Sequence, residues 1–596
     1  MERVADFVIR KVNEAGAGHI FLITGRGILY LTDAVARNDS IRYVCTYHEQ
    51  GASYAAMAYA AARESVSACL VSTGCAATNA VTACMCAYQD NLPVVFISGN
   101  NPLNENTRHT GADIRTYGSQ ELDIISVVDG ITKYAVMLED KEAIAYEVEK
   151  ALYIAQEGRK GPVWIDIPLD VQNMRIDEKA VRHFAALENK CDNDILCEQI
   201  RVVAEELNLS RRPVILIGGG LREASGSLRE LIEGCNIPLA FSPSACDIYG
   251  SSHDLSIGAV GSLGGTRAGN MAVQNADYIL AIGTKLCSQE TGMPGAFARE
   301  ARITVVDIDD KEHTKNGVHI ERIINADANY FLKKLCSESI KRADAHWVGK
   351  CIHWKRIFAI DKEAFAADLK KQNELDLYTF ADILSEALPD DATVITDAGF
   401  EELIIPSTIR YRGKQRCLFP AAQGAMGYAI PAIIGAGAAG RKNIVCVVGD
   451  GSFMMNMQEL QTISRFNIPA KIIVINNNMY AVIRKRQKDL FRKRTIGNDP
   501  SDGVSKPDFE TIARSFGVEY VKINSRSELE NNIERIINSD KCQLVEVVCT
   551  PEQVYLHESY GLNDKKKLVH RPIEDMAPFL ERDLIRSEML IPMMEE

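Results

Sequence analysis

Asn443-Ile444-Val445-Cys446-Val447-Val448-Gly449-Asp450-Gly451-Ser452, followed downstream by Lys471-Ile472-Ile473-Val474-Ile475-Asn476-Asn477-Asn478, is the stretch that decides the fold. Each half is a run of β-branched and apolar residues that stops abruptly at polar ones, and a helical pattern lies between them. Asp450 and Asn477 are 27 positions apart. One strand–helix–strand crossover therefore sets them side by side at the carboxyl ends of adjacent strands, where ligands collect in open α/β sheets. An Asp carboxylate and an Asn carbonyl are hard oxygen ligands of the kind magnesium accepts alongside phosphate oxygens and water. Gly449 and Gly451 let backbone amides approach an anion at the start of the next helix, with Ser452 beside them. A bare Gly-Asp-Gly also fits an ordinary turn; the flanking strands, the spacing and the Asn run favour the ligand site.

Outward from this unit the same alternation continues in both directions. The first third carries the β-rich runs HIFLIT, RYVC, SACLVS, PVVFIS and PVWIDIP, with helices predicted over Glu49–Arg63 and Ala76–Tyr88 between them. A second unit opens at Pro213–Gly220 and includes Asp277–Gly283 and Ile303–Asp309. Such alternation implies parallel sheets covered on both faces. The expected architecture is three doubly wound α/β domains over 1–175, 190–340 and 372–550, with a charged helical connector near 340–372 and a tail, 551–596, lying over the surface. The 596 residues, 46% hydrophobic and 25% charged, suffice for several cores. A net charge of −13 argues against a nucleic-acid surface. The longest weakly polar run, Tyr428–Gly440, is interrupted by Pro431 and too short to span a bilayer. The sixteen cysteines include no C-x-x-C pair, and the amino terminus does not read as a signal peptide, so a reduced, cytoplasmic protein is expected.

The segment GDGSF…QEL…P…INN resembles the diphosphate-binding signature of thiamine-diphosphate enzymes, and the wider likeness, over most of residues 1–550, is to their acetolactate synthase branch. The resemblance implies thiamine diphosphate and Mg2+ as cofactors. Asp450, Asn477 and the carbonyl of Met479 would hold the metal, and Gly449, Gly451 and Ser452 the diphosphate. Tyr47-His48-Glu49-Gln50-Gly51 resembles the family's H-E-Q-G segment, in which the glutamate shares a proton with the cofactor's aminopyrimidine ring; a partly buried carboxyl suits that task. Taken alone, Glu49 also fits a favourable charge at a helix start. In Ala421–Ala436, Gly424 permits close backbone approach and Met426 matches the bulky apolar residue set between the cofactor rings, a core Met being the alternative. Gln120 and Lys133 fall in further matching segments; for Lys133 structural packing reads equally well.

The middle unit resembles the family's central Rossmann-like domain, which binds a flavin nucleotide in acetolactate synthases. Gly261–Asn270 is compatible with a phosphate-contacting loop, whereas Gly283-Thr284-Lys285 stands where an arginine is frequent, which leaves FAD binding open. Two departures fall on the substrate side. Arg26, in Thr24-Gly25-Arg26-Gly27, replaces a usual glycine, and Asn100-Asn101 replace a glutamine. A third feature, Arg484–Arg494, has seven basic residues in eleven; it reads as a solvated helix face or as a lid attracting an anionic acceptor such as a phosphorylated or nucleotide-linked sugar. The implied reaction is decarboxylation of a 2-oxo acid, pyruvate foremost, with carboligation to a carbonyl acceptor. A simple decarboxylase, a C–C hydrolase of a cyclic diketone, or a non-catalytic regulatory partner are the alternatives. By the resemblance, Glu49 and Asp450 serve one site from two chains, so the working form is at least a homodimer, or a tetramer.

Overall fold

A computed structural model of the chain describes residues 1–186, 193–360, 375–491, 494–553, 555–562 and 568–594. Three six-stranded parallel sheets follow one another along the chain, as the alternation predicts. In spatial order the first is 42–45, 19–22, 67–71, 94–100, 163–168, 134–137, and the third is 416–418, 393–395, 444–449, 471–476, 543–548, 519–523. The two share one winding. The middle sheet differs: its order, 256–259, 239–241, 213–217, 278–282, 302–307, 322–325, is the dinucleotide-fold winding, reversing beside the strand that comes first in the chain. The central strands, Ile444–Gly449 and Lys471–Asn476 among them, are buried almost throughout, which is why they read as unbroken apolar runs rather than alternating ones.

Several local expectations shift. The helix predicted over Ala76–Tyr88 is two, Cys75–Asn79 and Val81–Gln89. The half-buried edge strand Tyr134–Met137 is not among the β-rich runs of the first third. Of the charged connector, Ala345–Ile357 is a helix whose Trp347, Cys351 and Trp354 enter the core of the middle unit, and 361–372 lie outside the described residues. Part of the described tail is core rather than surface covering. Ile573, Met576 and Ile585 are buried in the same cluster as Met271 and Val305. The fully buried Arg267 donates to the carbonyls of Met576 and Pro578, and Asn270 donates to that of Ile573. A charged sequence looks peripheral until its partners are known; here Arg571 and Arg582 both pair with the buried Asp575, and Arg299 with Glu574.

The first and third units pack through two small-residue helices, Glu49–Arg63 and Ala429–Ala438. Alanines and glycines allow the backbones to come close: a Cβ on Gly435 would lie 2.0 Å from the Ala55 carbonyl oxygen and 2.8 Å from the Tyr59 nitrogen. Backbone cannot yield as a side chain can. Gly435→Ala is therefore expected to destabilise the protein by about 1–3 kcal/mol, measured as a lower urea midpoint; an unchanged midpoint would contradict this packing.

Candidate active site

The third sheet's switch point, between strands 393–395 and 444–449, gathers three segments. Asp450 opens a short helix at the end of its strand and is only 6% exposed. Its carboxylate accepts from the Asn478 amide at 2.6 Å, so the two strand ends are joined as the spacing implied. The Asn477 side-chain oxygen accepts from the Met479 amide at 3.1 Å. Asn478 has φ +57°, a left-handed turn that swings the chain out of the sheet at this point. Burial pushes the Asp450 carboxyl up to about 6, opposed by the amides of Asn478, Gly451 and Asn477. Among the described residues Lys506 acts on it only through space, and a buried carboxylate without a cationic partner is a group that a metal ion would satisfy.

A Cβ on Gly451 would meet the Tyr480 ring at 2.0 Å, so the ring would have to turn aside to admit one. Gly424 has φ +54° and faces the Glu402 carboxylate; Met426, half-buried, follows it in the same turn. Asp397 ties the segments together and was not singled out from the sequence, although DATVITDAG ends a strand much as the Asp450 run does. Its carboxylate accepts from the Ser452 hydroxyl and from the amides of Gly427 and Ala429 at 3.2 and 3.3 Å. Among the described residues no group of three or more His, Cys, Asp or Glu side chains could hold a metal. One carboxylate, one amide oxygen and one backbone carbonyl instead suit magnesium that shares phosphate oxygens, so the residues present fit a metal–diphosphate group.

In the first unit Glu49 is the first residue of its helix, behind His48, whose ring nitrogen accepts from the Gln50 amide. The Glu49 carboxylate is half-buried and accepts from Asn79 at 2.9 Å. The turn before it is held from the third unit: the Tyr47 and His48 amides donate to Glu459 at 3.0 and 3.1 Å, and Asn456 donates to Gln50 at 3.0 Å. Glu459 is the glutamate of the QEL triplet, and its partners lie too far away in sequence for its role to be read there.

Gly25, Arg26 and Gln120 sit at the same edge of the first sheet. A Cβ on Gly25 would strike Ser72, Gly74 abuts the Gln120 carbonyl, and Arg26 and Gln120 are exposed. Asn100 does not project there. Its amide group is spent on Leu122 and Asp166, its oxygen on the Asn101 amide, and it is buried. Lys133 stands at the start of its strand, opposite the Glu49 edge, where its ammonium caps helix 144–156 through the carbonyls of Ile154 and Glu157. Packing is its role in this structure.

The middle sheet opens on a cavity of about 540 Å³, shared by all three units and lined by Gly219, Ser244, Thr284, Asp307, Asp327 and Glu402 among others. The Gly261–Asn270 loop reaches this cavity through Gly264, with several of its amides already engaged. Its amides at Gly261, Ser262, Gly264 and Thr266 already donate to Asn270, Gln289, the Tyr555 hydroxyl and Ala259. A nucleotide there would also meet Gly219, Ser244 and Thr284, at the ends of the first and neighbouring strands.

This arrangement is that of a thiamine pyrophosphate enzyme. Models of the N-terminal TPP binding, central and C-terminal TPP binding domains of that family match residues 2–127, 200–335 and 397–547. The chain belongs to this family and is acetolactate synthase-like. It is 30% identical over 560 residues to the acetolactate synthase large subunit of Lactococcus lactis, covering 92% of this chain and 93% of the relative. With the isozyme 1 large subunit of Escherichia coli K12 the identity is 30% over 558 residues, 92% and 95% of the two chains. A chloroplastic relative from rice, Oryza sativa, is 29% identical over 570 residues, 93% and 85%. No described helix is long and apolar enough to cross a membrane.

Proposed function

We propose that the protein removes carbon dioxide from a 2-oxo acid, pyruvate first among candidates, and joins the remaining acyl unit to a carbonyl acceptor. The observation that carries this reading is one chain holding both the Asp450–Asn477 oxygen pair and the Glu49 carboxylate at sheet edges. Bound thiamine diphosphate supplies a carbon nucleophile and an electron sink. Asp450, Asn477 and the Met479 carbonyl hold Mg2+; the Gly449–Ser452 turn receives the diphosphate; Gly424 lets the backbone close on the cofactor and Met426 supports it. Glu49, kept in place by Asn79 and by the Glu459 bonds to its turn, holds the proton that activates the aminopyrimidine ring.

Within one chain Glu49 and Asp450 belong to different sheet edges, and exposed apolar side chains stand beside each: Tyr47 is 62% and Met455 48% exposed. Pairing two copies, edge to edge, would cover them and complete two sites, so a homodimer is the smallest working form and a tetramer a pair of these. FAD is the ligand we assign to the middle cavity, in a structural role, since the reaction has no redox step. A reducing cytoplasmic setting accords with the fifteen free cysteines among the described residues. The test is carbon dioxide release from pyruvate with cofactor and magnesium, with and without acceptor aldehydes. Acceptor-stimulated release with a new ketol by mass spectrometry supports the reading; no release in any condition removes pyruvate as donor. Addition of FAD is expected to raise the thermal midpoint if the cavity takes it, and an unmoved midpoint rejects the assignment.

A further inference from the structure

Much of the charge conspicuous in the basic run is paired: Arg484 with Asp499 and Glu552, Lys485 with Asp489 and Glu558. Arg492 and Lys493 lie outside the described residues. The charged connector is different, because its helix Ala345–Ile357 brings a cation to a second cavity. This cavity, of about 180 Å³, lies where the middle unit, the connector helix and the third unit meet. Phe241, Ile257, Phe358 and Ile409, all buried, form its apolar walls. Helix Phe400–Thr408 starts just past strand 393–395 and ends at this cavity, so about 13 Å of helix separates it from the cofactor segments.

Most polar groups of the lining are already engaged. The Ser251 hydroxyl donates to the Ile409 carbonyl at 3.0 Å, that of Thr379 to Asp376, and that of Ser407 to the Leu403 carbonyl at 2.9 Å. Arg410 is paired with Asp382 and Glu386, and Arg526 with Glu530. Lys355 is the exception. Its ammonium donates to the carbonyls of Ser251 and His253 at 3.0 and 2.7 Å and, among the described residues, makes no ion pair. An ammonium has three protons to donate, so one is left over. Burial pushes Lys355 down to about 8, opposed only by Asp254 acting through space. A half-buried cation held by neutral carbonyls gains from an incoming anion.

The lining also limits which anion. A phosphate or sulfate needs several donors, and most donors here are taken. A wholly apolar molecule would leave the remaining Lys355 proton without an acceptor. A carboxylate on a short apolar tail satisfies both the cation and the walls. The volume, close to the roughly 150 Å³ of an engineered cavity that holds benzene, suits about six or seven heavy atoms.

We propose that this cavity is a binding site for a small monocarboxylate with an apolar tail, its carboxylate on Lys355 and its tail against Phe241, Ile257 and Phe358. The site is separate from the proposed reaction and does not depend on it. Isovalerate is the probe, titrated calorimetrically into the full chain, with isoamyl alcohol as its neutral counterpart. Isovalerate is expected to bind at least about tenfold more tightly than the alcohol, the difference a charge-assisted hydrogen bond makes. Lys355→Met removes the charge at similar length and is expected to weaken isovalerate about tenfold or more while leaving the alcohol unaffected. Ala359→Leu keeps the cation but fills the cavity, and is expected to weaken both probes. No binding of isovalerate to the unaltered chain, equal affinity for the two probes, or undiminished isovalerate binding in either variant overturns the proposal. Should Lys355→Met fail to fold, Ala359→Leu and the comparison of the two probes decide the matter.

Discussion

In Asp450→Ala, carbon dioxide release from pyruvate is expected to fall by about 10³-fold or more, the loss that follows when several kcal/mol of metal-dependent charge stabilisation are removed. The same variant should lose the rise in thermal midpoint that thiamine diphosphate plus magnesium gives the unaltered protein, because a ligand stabilises the fold only in proportion to its binding. Adding a chelator to the unaltered protein should reproduce both effects. Turnover near the original rate, or an undiminished thermal shift, would remove Asp450 from the metal site. A pH dependence follows from the same residue. Burial holds the Asp450 proton more tightly in the folded chain than in the unfolded one, up to about 6 against an ordinary 3.8. That group alone therefore lowers metal-free stability as pH rises between these values. Magnesium must displace the proton, so its affinity should fall as pH drops through about 6, and the cofactor-induced shift with it.

Glu49→Gln tests the other half of the site and has a different signature. Gln keeps the size of the side chain and can still meet Asn79, but it cannot take up or share a proton. Turnover is expected to fall about 10²- to 10⁴-fold, the range for a positioned acid–base group, while the thermal shift with cofactor and magnesium is retained. The contrast between the two variants is the informative result: binding lost in one, chemistry lost in the other. If both lose the thermal shift, Glu49 is a binding group and its proton role is wrong. Mixing the two inactive variants carries this further. If each site takes Glu49 from one chain and Asp450 from the other, a hybrid dimer contains one intact site and one doubly altered site. Partial recovery of activity on mixing is expected, and none would argue that both residues of a site come from one chain.

The parts of the site legible in the sequence are those whose partners are close along the chain. Asp450 and Asn477 are separated by one crossover, so a strand pattern and a count place them together, and the Asn478–Asp450 bond is the outcome. Three parallel sheets were legible for a similar reason, since strands buried on both faces must be written as continuous apolar runs. Family likeness added Glu49, Gly424 and Met426, which no local pattern would single out.

What only the tertiary structure decided concerns groups whose partners are remote. Glu459 meets Tyr47 across 412 positions, and Asp397 meets Ser452 across 55. Lys133 in a family-like segment and Asn100 at a departure from the family both carry polar side chains, yet one caps a helix and the other is spent on Leu122 and Asp166. A charged tail becomes core because Asp575 and Glu574 find arginines on the inside. The amides of the Gly261–Asn270 loop are occupied partly by Tyr555, supplied from that tail. Sequence by itself determines which groups can bond and where strands and helices alternate, because those follow from local chemistry and periodicity. Which donor is already spent, and which remains open, depends on contacts between distant segments, and only the packed structure settles it.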